Sequence, residues 1–341
     1  MAIVQSWPKE MLNPHSNPRL EKALTLFKED RYRREKNVVF IDLLDWQHPC
    51  LTEKQAMFNH IFHHRFPPEG QVYFAFPWAT IIDLESEFKL KLNEHSWRFK
   101  DALKEREGSR IHTVCQHIRW REFLGFWREF GITDLHVSHC ELNDHEAEGM
   151  KIHSWPIIAT NYESPERMKG ISIKENKHKK YLVSFMGNHD KDYRSDIRPK
   201  LLELLKNETE VFYELGSKWF YDSTVYRFKN LSSDESEDQK TIKYNQIMSD
   251  SIFSLCPEGS GPNTIRLWES MAVGSIPVIF SNGWKPPEIE GLCWNDFSVR
   301  IPLDEYKHTL EILKSISNDQ RDSMKHNCLT AYKKFASMRC F

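Results

Sequence analysis

Residues 251–281 constrain this chain more than any other stretch. They read Ser-Ile-Phe-Ser-Leu-Cys-Pro-Glu-Gly-Ser-Gly-Pro-Asn-Thr-Ile-Arg-Leu-Trp-Glu-Ser-Met-Ala-Val-Gly-Ser-Ile-Pro-Val-Ile-Phe-Ser. The apolar run Ile252 to Cys256 predicts a strand that stops at Pro257. Gly259 and Gly261 then supply the backbone freedom of a tight turn. Pro262 suits the first turn of a helix, where its missing N–H is not needed. The helix is expected to run to Val273 and stop at Gly274. Ile276 to Phe280 predicts a second strand. A turn of this kind aims unpaired N–H groups and the positive end of a helix at whatever lies above the strand ends. That is an anion site, most usefully a phosphate site.

Arg266 and Glu269 stand three apart on the predicted helix, so they share a face. A cation near the helix start can hold a diphosphate. A carboxylate one turn on can accept hydrogen bonds from a ribose diol. The plainer reading is a surface ion pair in an ordinary βαβ unit; the glycine turn favours the nucleotide-sugar reading.

Cys256-Pro-Glu-Gly-Ser-Gly-Pro-Asn-Thr-Ile-Arg-Leu-Trp-Glu269, followed by Gly274-Ser-Ile-Pro-Val278, resembles the C-terminal signature of exostosin-like glycosyltransferases (GT47-like). Tyr181-Leu-Val-Ser-Phe-Met-Gly187 with Arg194 and Arg198 resembles, more loosely, the segment that opens the C-terminal domain there. The resemblance spans Lys180 to Ser281. It implies an α/β fold of GT-B type, two Rossmann-like domains with mainly parallel sheets facing a cleft. It also implies a nucleotide-sugar donor, a UDP-sugar on family grounds, and usually inversion at the anomeric carbon.

The 341 residues suffice for two domains of ordinary size. With 40% hydrophobic and 28% charged residues the chain is of globular, not disordered, composition. A formal charge of −2 gives no global reason to expect nucleic acid as a partner. The 7 cysteines are scattered without a Cys-x-x-Cys, so neither a disulfide framework nor a zinc site is expected. No signal-length apolar core opens the chain, and no window reaches the roughly 18 apolar residues of a membrane span. The expected location is therefore cytoplasmic, at most peripheral to a membrane. The alternative is the Golgi lumen, with an anchor outside this sequence.

Strands are predicted over Val38–Leu44, Gln71–Phe76, Arg110–Ile118, Thr133–His139 and Met150–Ile158. Helices are predicted over Pro18–Asp30, Glu53–Phe62, Glu87–Glu107 and Arg119–Phe130. This alternation argues for a mainly parallel sheet covered on both faces. The basic run Lys174–Lys180 follows a boundary near Pro165 to Ile173, giving an acceptor-side domain over 1–168 and a donor-binding domain over 169–341. The second half continues with strand Tyr181–Met186, helix Ile197–Leu205, strand Glu210–Leu215 and helix Glu237–Ser249. The last helix, Asp319–Ala336, is expected to return to the first domain, as the resemblance suggests.

The donor-binding candidates are Gly187, Arg194, Arg198, Pro257, Glu258, Gly259, Ser260, Gly261, Asn263, Thr264, Arg266 and Glu269. Arg266 is also the main catalytic cation, neutralising the departing diphosphate. Arg198 reads equally well as an exposed helix residue. Glu258 reads either as facing the sugar or as a solvent-exposed turn residue, and Asn263 or Thr264 as a helix cap. The general base should come from a strand end of the first domain. His117, His136, His139 and Glu141 lie there, and Asp83 follows Phe76–Ile82; His139 and Asp83 lead. Ser138-His139-Cys140-Glu141 departs from the residues familiar at this place in the family. Asp190-Lys-Asp192 has the Asp-x-Asp form of metal-dependent transferases, but reads better as a solvated loop. His60 and His64 have helical spacing without the glutamate of a zinc motif and read as helix surface. No metal and no cofactor is expected.

The expected activity is inverting transfer of a sugar from a nucleotide-sugar to a hydroxyl of a glycan or lipid-linked glycan acceptor, in surface polysaccharide or glycoconjugate synthesis. The alternatives are a GDP- or CMP-sugar transferase of the same fold, and a non-catalytic glycan-binding relative. A redox enzyme is disfavoured because no Gly-x-Gly-x-x-Gly loop is present.

Overall fold

The computed structural model describes residues 32–41, 52–61, 64, 66–83, 108–216 and 235–341. The helices expected over Pro18–Asp30 and Glu87–Glu107 lie outside them. Two sheets organise the rest. The first contains β1 (Tyr32–Glu35), β2 (Val38–Ile41), β3 (Gln71–Ala75), β4 (Arg110–Cys115), β5 (Asp134–Val137), β6 (Glu146–Ala147) and β7 (Met150–Ser154), in the order β1-β2-β3-β4-β5-β7-β6. Strands β2, β3, β4, β5 and β7 are parallel, and antiparallel β1 and β6 close the two edges. Their valine- and isoleucine-rich segments suit strands covered on both faces.

Three of these strands stop earlier than their apolar runs suggest. β4 ends at Cys115, β5 at Val137 and β7 at Ser154. The residues that follow leave the sheet to cover its carboxyl edge and meet the second sheet. The β6–β7 hairpin is an addition to the expected elements. Its turn is Glu148-Gly149, both with positive φ (50° and 78°), as a two-residue turn matching strand twist requires.

The second sheet contains β8 (Tyr181–Asn188), β9 (Val211–Gly216), β10 (Ser251–Pro257), β11 (Ile276–Phe280) and β12 (Val299–Arg300), in the order β12-β11-β10-β8-β9. Every pair is parallel. The order reverses between β8 and β10, which makes this sheet doubly wound. Ligands in such sheets bind at the carboxyl edge where the order reverses.

The helices are α1 (Thr52–Ile61), α2 (Trp78–Asp83), α3 (Leu124–Glu129), α4 (Thr160–Glu163), α5 (Ile197–Leu205), α6 (Glu235–Ser249), α7 (Ile265–Ala272), α8 (Thr309–Ser315) and α9 (Asn318–Ala336). The segment expected as one helix over Arg119–Phe130 begins as a 3-10 turn at Trp120–Phe123 before α3. Helix α7 starts at Ile265, later than Pro262 suggested, because residues 258–264 form the glycine loop itself. It ends as expected, with Gly274 at φ +68° just past its C-terminus. Trp268, fully buried, anchors α7 by edge-on contacts with Trp284, Trp294 and Phe335.

Trp155 packs in the first sheet's core and Ile157 in the second's, so the chain changes cores at Pro156, ahead of the expected boundary. Helix α9 packs mainly on α7. The residues after it lie on the first sheet: Asn59 donates to the carbonyls of Ala336 and Met338, and Phe341 stacks on His60. His60 is therefore core, against its reading as helix surface, while His64 is exposed beyond the end of α1.

His112, Asp134 and His136 lie on one face of β4 and β5. His112 Nδ1 is 3.1 Å from His136 Nε2. Asp134 accepts from Arg110, Thr133 and His153. Burial alone would raise the Asp134 carboxyl, but these hydrogen bonds outweigh it and hold it well below its ordinary value. Burial lowers His112 from 6.5 to about 4 and lowers His136 well below 6.5. Both histidines are thus neutral in the fold, while the unfolded chain takes up protons below its ordinary value. This part of the stability is present above about pH 6.5 and drains away as pH falls toward 4, by up to about 1.4 kcal/mol per pH unit for each histidine. Urea unfolding at pH 7 and pH 5 should show a loss that a His112→Gln variant shows less steeply. Equal pH slopes for the two proteins would contradict this.

Candidate active site

The site is created by two strands that part. β8 and β10 are in register from Ser251 opposite Tyr181 to Ser254 opposite Ser184. Beyond that β8 follows β9 as far as Asn188 opposite Gly216, and β10 follows β11 as far as Pro257 opposite Phe280. Carbonyls facing the gap lose their sheet partners there, and a buried carbonyl without a donor is costly.

Two arginines fill the gap. Arg266, on α7, donates from Nε to the Leu255 carbonyl at 3.2 Å and from Nη2 to Ser184 Oγ at 3.1 Å. Arg198, on α5, donates from Nε to Glu258 O, from Nη1 to Asn188 O and from Nη2 to Pro257 O, at 3.1, 2.6 and 3.1 Å. Each guanidinium thus joins one separating strand to the other. Both are buried, at 3% and 7% exposure, and neither has a carboxylate within ion-pair distance among the described residues. Aromatic faces take that place. Phe185 lies under both guanidinium carbons, at 5.6 and 5.4 Å, with Tyr244 near Arg266 and Tyr193 near Arg198. Burial lowers the Arg198 pKa below its ordinary value. Arg266 Nη1 is buried and has no hydrogen-bond partner among the described residues.

The glycine loop sits above this gap. Gly259 N donates to Gly261 O and Glu258 N to Phe280 O, but the amides of Ser260, Gly261, Asn263 and Ile265 make no backbone hydrogen bond among the described residues. A Cβ on Gly259 would lie 2.9 Å from Arg198 Nη2, and one on Gly261 would lie 2.3 Å from His139 Nδ1. The two glycines are required by close approach, the first to its own domain's arginine, the second to the opposite sheet.

The carboxyl edges of the two sheets meet here. Asn263 Nδ2 donates to Ser138 O, Leu142 N to Gly283 O and Lys285 N to Cys140 O. Arg194 Nη1 donates to Glu141 Oε1 at 2.8 Å, and its Nε lies 3.7 Å from Glu258 Oε2. Glu258 is 5% exposed and accepts from Ser281 Oγ, so it is not a solvent-exposed turn residue.

Several expectations change in this arrangement. Gly187 lies within β8, where the absence of a side chain makes room for the Phe185 ring; a Cβ at this position would lie 2.7 Å from that ring. The packing of Phe185 is thus sufficient to require glycine at this position. Arg198 is not exposed: it is buried, and each of its three nitrogens donates to a backbone carbonyl of the parting strands or the loop that follows. Arg266 points down between the strands, with Nε and Nη2 committed to them and Nη1 uncommitted. Glu269 is 3% exposed; its oxygens accept from Tyr244 OH at 2.7 Å and from Asn161 N at 3.3 Å. Burial raises its pKa, and it braces α7 against α4 and α6 instead of presenting an open ribose acceptor. Thr264 is the residue preceding α7 and makes no side-chain cap. Asn263 Oδ1 accepts from Thr264 N and Trp268 Nε1, which fixes the loop to the helix. Pro257 contributes its carbonyl to Arg198, and Ser260 is exposed at the tip.

On the first sheet's side, His139 is buried against Gly261. Burial, then His117, Arg194 and Arg121, lower it from 6.5 to about 3. A base so weak transfers protons poorly near neutral pH, which counts against the role expected for it. Asp83 ends α2, and its side chain lies outside the described atoms. Asp190 closes its own turn by accepting from Asp192 N. Among the described residues no group of three or more His, Cys, Asp and Glu is placed to hold a metal ion. Sequence reasoning missed Asn282-Gly283 and Lys285, whose backbone meets the first sheet; the Asn-Gly pair after β11 was the available signal.

The sequence model of the Exostosin GT47 domain matches residues 131–316, more than half of the chain. An Exostosin-1 homolog of Caenorhabditis elegans is 25% identical over 154 residues, covering 45% of this chain and 40% of that protein. A probable glycosyltransferase of Arabidopsis thaliana is 35% identical over 88 residues, covering 26% and 18%. The chain spans less than half the length of these curated relatives. Among solved structures, Anabaena Alr3699/HepE in complex with UDP-glucose aligns with a TM-score of 0.40 at 12% identity, covering 85% of this chain and 94% of that one. With its two mostly parallel, helix-flanked sheets in the GT-B arrangement, this chain belongs to the exostosin GT47 family.

Proposed function

We propose that this chain transfers a glycosyl group from a nucleotide-sugar, a UDP-sugar first among the candidates, to a hydroxyl of a glycan or lipid-linked glycan acceptor. The donor's diphosphate lies where β8 and β10 part. The observation that carries this reading is Arg266 Nη1, a charged donor buried without a partner at the reversal of a doubly wound sheet. A buried cation lacking a counter-charge favours an anionic ligand, and the free amides of the loop add donors for phosphate oxygens. In this reading guanidiniums and amides, not a metal ion, stabilise the leaving group. No helix among the described residues is long and apolar enough to cross a membrane.

Thermal unfolding with UDP, GDP and CMP identifies the nucleotide, because a ligand of the native state raises Tm. UDP is expected to give the largest rise, and hydrolysis of the matching nucleotide-sugar is expected to persist in EDTA. Failure of every nucleotide to stabilise the protein contradicts the donor site; loss of turnover in EDTA contradicts its independence of metal.

Gly261→Ala gives a second test. The added methyl would collide with His139 and Ile118, so the loop must lift from the first sheet. Nucleotide affinity should fall about 10-fold or more, and the variant should lose about 1–3 kcal/mol of stability. Adding His139→Ala should recover much of both. A Gly261→Ala protein that binds nucleotide normally would show that the contact does not set the loop.

A further inference from the structure

Glu141 has a placement shared by no other carboxylate whose side chain is described. It follows β5 on the first sheet and faces the loops of the second. Its Oε1 is 2.8 Å from Arg194 Nη1 and 3.8 Å from Arg121 Nη1, and it remains 29% exposed. The other acids near the cleft are committed. Asp144 accepts from Arg121 Nη2 at 2.5 Å and from Glu141 N at 2.6 Å. Glu258 is on the donor side and buried on Ser281. Glu269 is sealed beneath α6. His139 is neutral and packed on Gly261.

Arg194 differs from the two arginines in the gap. It is 35% exposed, and its side chain lies between the partly exposed Glu141 and the buried Glu258. Its backbone N donates to Gly259 O, so the residue is fixed beside the glycine loop while its guanidinium lies between Glu141 and Glu258. Gly283 borders the pair: a Cβ there would lie 3.6 Å from Arg194 Nη2 and 3.9 Å from Glu141 Oε2.

Resting on the transferase reading above, we propose that Glu141 is the general base for the acceptor, and that Arg194 is a cation shared between Glu141 and the donor's diphosphate. Without donor, Arg194 neutralises Glu141. When the diphosphate enters beside Gly259, it offers Arg194 a stronger anionic partner. The guanidinium turns to it, and the carboxylate is released toward the acceptor. In the transfer step the acceptor oxygen forms a bond to the anomeric carbon. The bond from that carbon to the phosphate oxygen breaks, and its electron pair leaves with the nucleoside diphosphate. The acceptor's hydroxyl proton passes to Glu141. Donor binding thus arms the base, and without donor the acceptor meets a carboxylate already paired.

The test uses the nucleotide that stabilises the wild type, its sugar donor, and the variants Glu141→Gln, Arg194→Met and the double variant. Glu141→Gln should lower kcat for transfer about 100-fold or more and flatten the acid limb of the pH–rate profile. It should also bind the nucleoside diphosphate several-fold more tightly, because Arg194 then gives up its closer carboxylate partner in advance and keeps only the longer contact with Glu258. Arg194→Met should weaken that binding about 10-fold or more. In the Arg194→Met background, Glu141→Gln should no longer change affinity, which a double-mutant cycle reads directly. A merely structural Glu141 would instead lower Tm and weaken binding, overturning the proposal. So would a Glu141→Gln enzyme with wild-type kcat, or an affinity gain that survives Arg194→Met. A wild-type protein that neither binds nor turns over any nucleotide-sugar defeats the transferase reading itself, and this inference with it.

Discussion

The separation of β8 from β10 is the constraint on which the remainder depends. A parallel sheet can change winding direction only where two neighbouring strands send their connections to opposite sides, and that leaves a crevice at the carboxyl edge. Here the crevice reaches into the sheet, because pairing ends at Ser184 and Ser254 while both strands continue. Each carbonyl stranded in the gap would forfeit about 1–3 kcal/mol if left unpaired. Guanidinium suits the gap because its planar fork offers several donors and is less strongly hydrated than an ammonium. Lysine could serve fewer carbonyls and would desolvate at greater cost. The solution leaves a net effect: carbonyl dipoles and aromatic faces moderate two buried positive charges without cancelling them.

Close packing around the gap explains why the loop above it carries glycine at two positions. Gly259 must lie against Arg198, and Gly261 must lie against His139 of the opposite sheet. The loop is therefore clamped between a cation below and the first sheet above. Asn263 completes the clamp by joining Ser138, Thr264 and Trp268 with one amide group. The loop's conformation is set jointly by both sheets, so displacement of one sheet would alter the loop's unpaired amides as well as the width of the cleft.

The strand–turn–helix–strand unit over 251–281 was legible because glycine, proline and apolar runs are local signals. The alternation of elements and the mainly parallel pairing followed from the same kind of pattern. The directions of Arg266, Arg198 and Glu269 were not legible. Helical spacing says that positions 266 and 269 share a face, but not that one side chain reaches down to Ser184 while the other turns to Tyr244 and Asn161. Those directions depend on partners far apart in the chain. The same holds for Gly187, whose motif position suggests a ligand turn but whose space is taken by Phe185. His139 stood at the expected strand end; its burial against Gly261 comes from the meeting of two sheets, which no local pattern encodes.

The three arginines around the loop divide the electrostatic work by how they are held. Arg198 and Arg266 are buried, hydrogen-bonded to strands that cannot move independently, and bounded by rings. Reorienting either would break several bonds and strand carbonyls in a dry environment. They form a fixed field; in the proposed transfer, charge organised in advance is the form that stabilises a developing anion most effectively. Arg194 is held by a partly exposed ion pair, and such pairs are worth little because water and salt compete for both partners. Its guanidinium can exchange one anion for another at small cost. A site that combines an immobile field with one exchangeable cation can attract a diphosphate and register its arrival. The Glu141–Arg194 contact lies where that arrival would be felt on the acceptor side of the cleft.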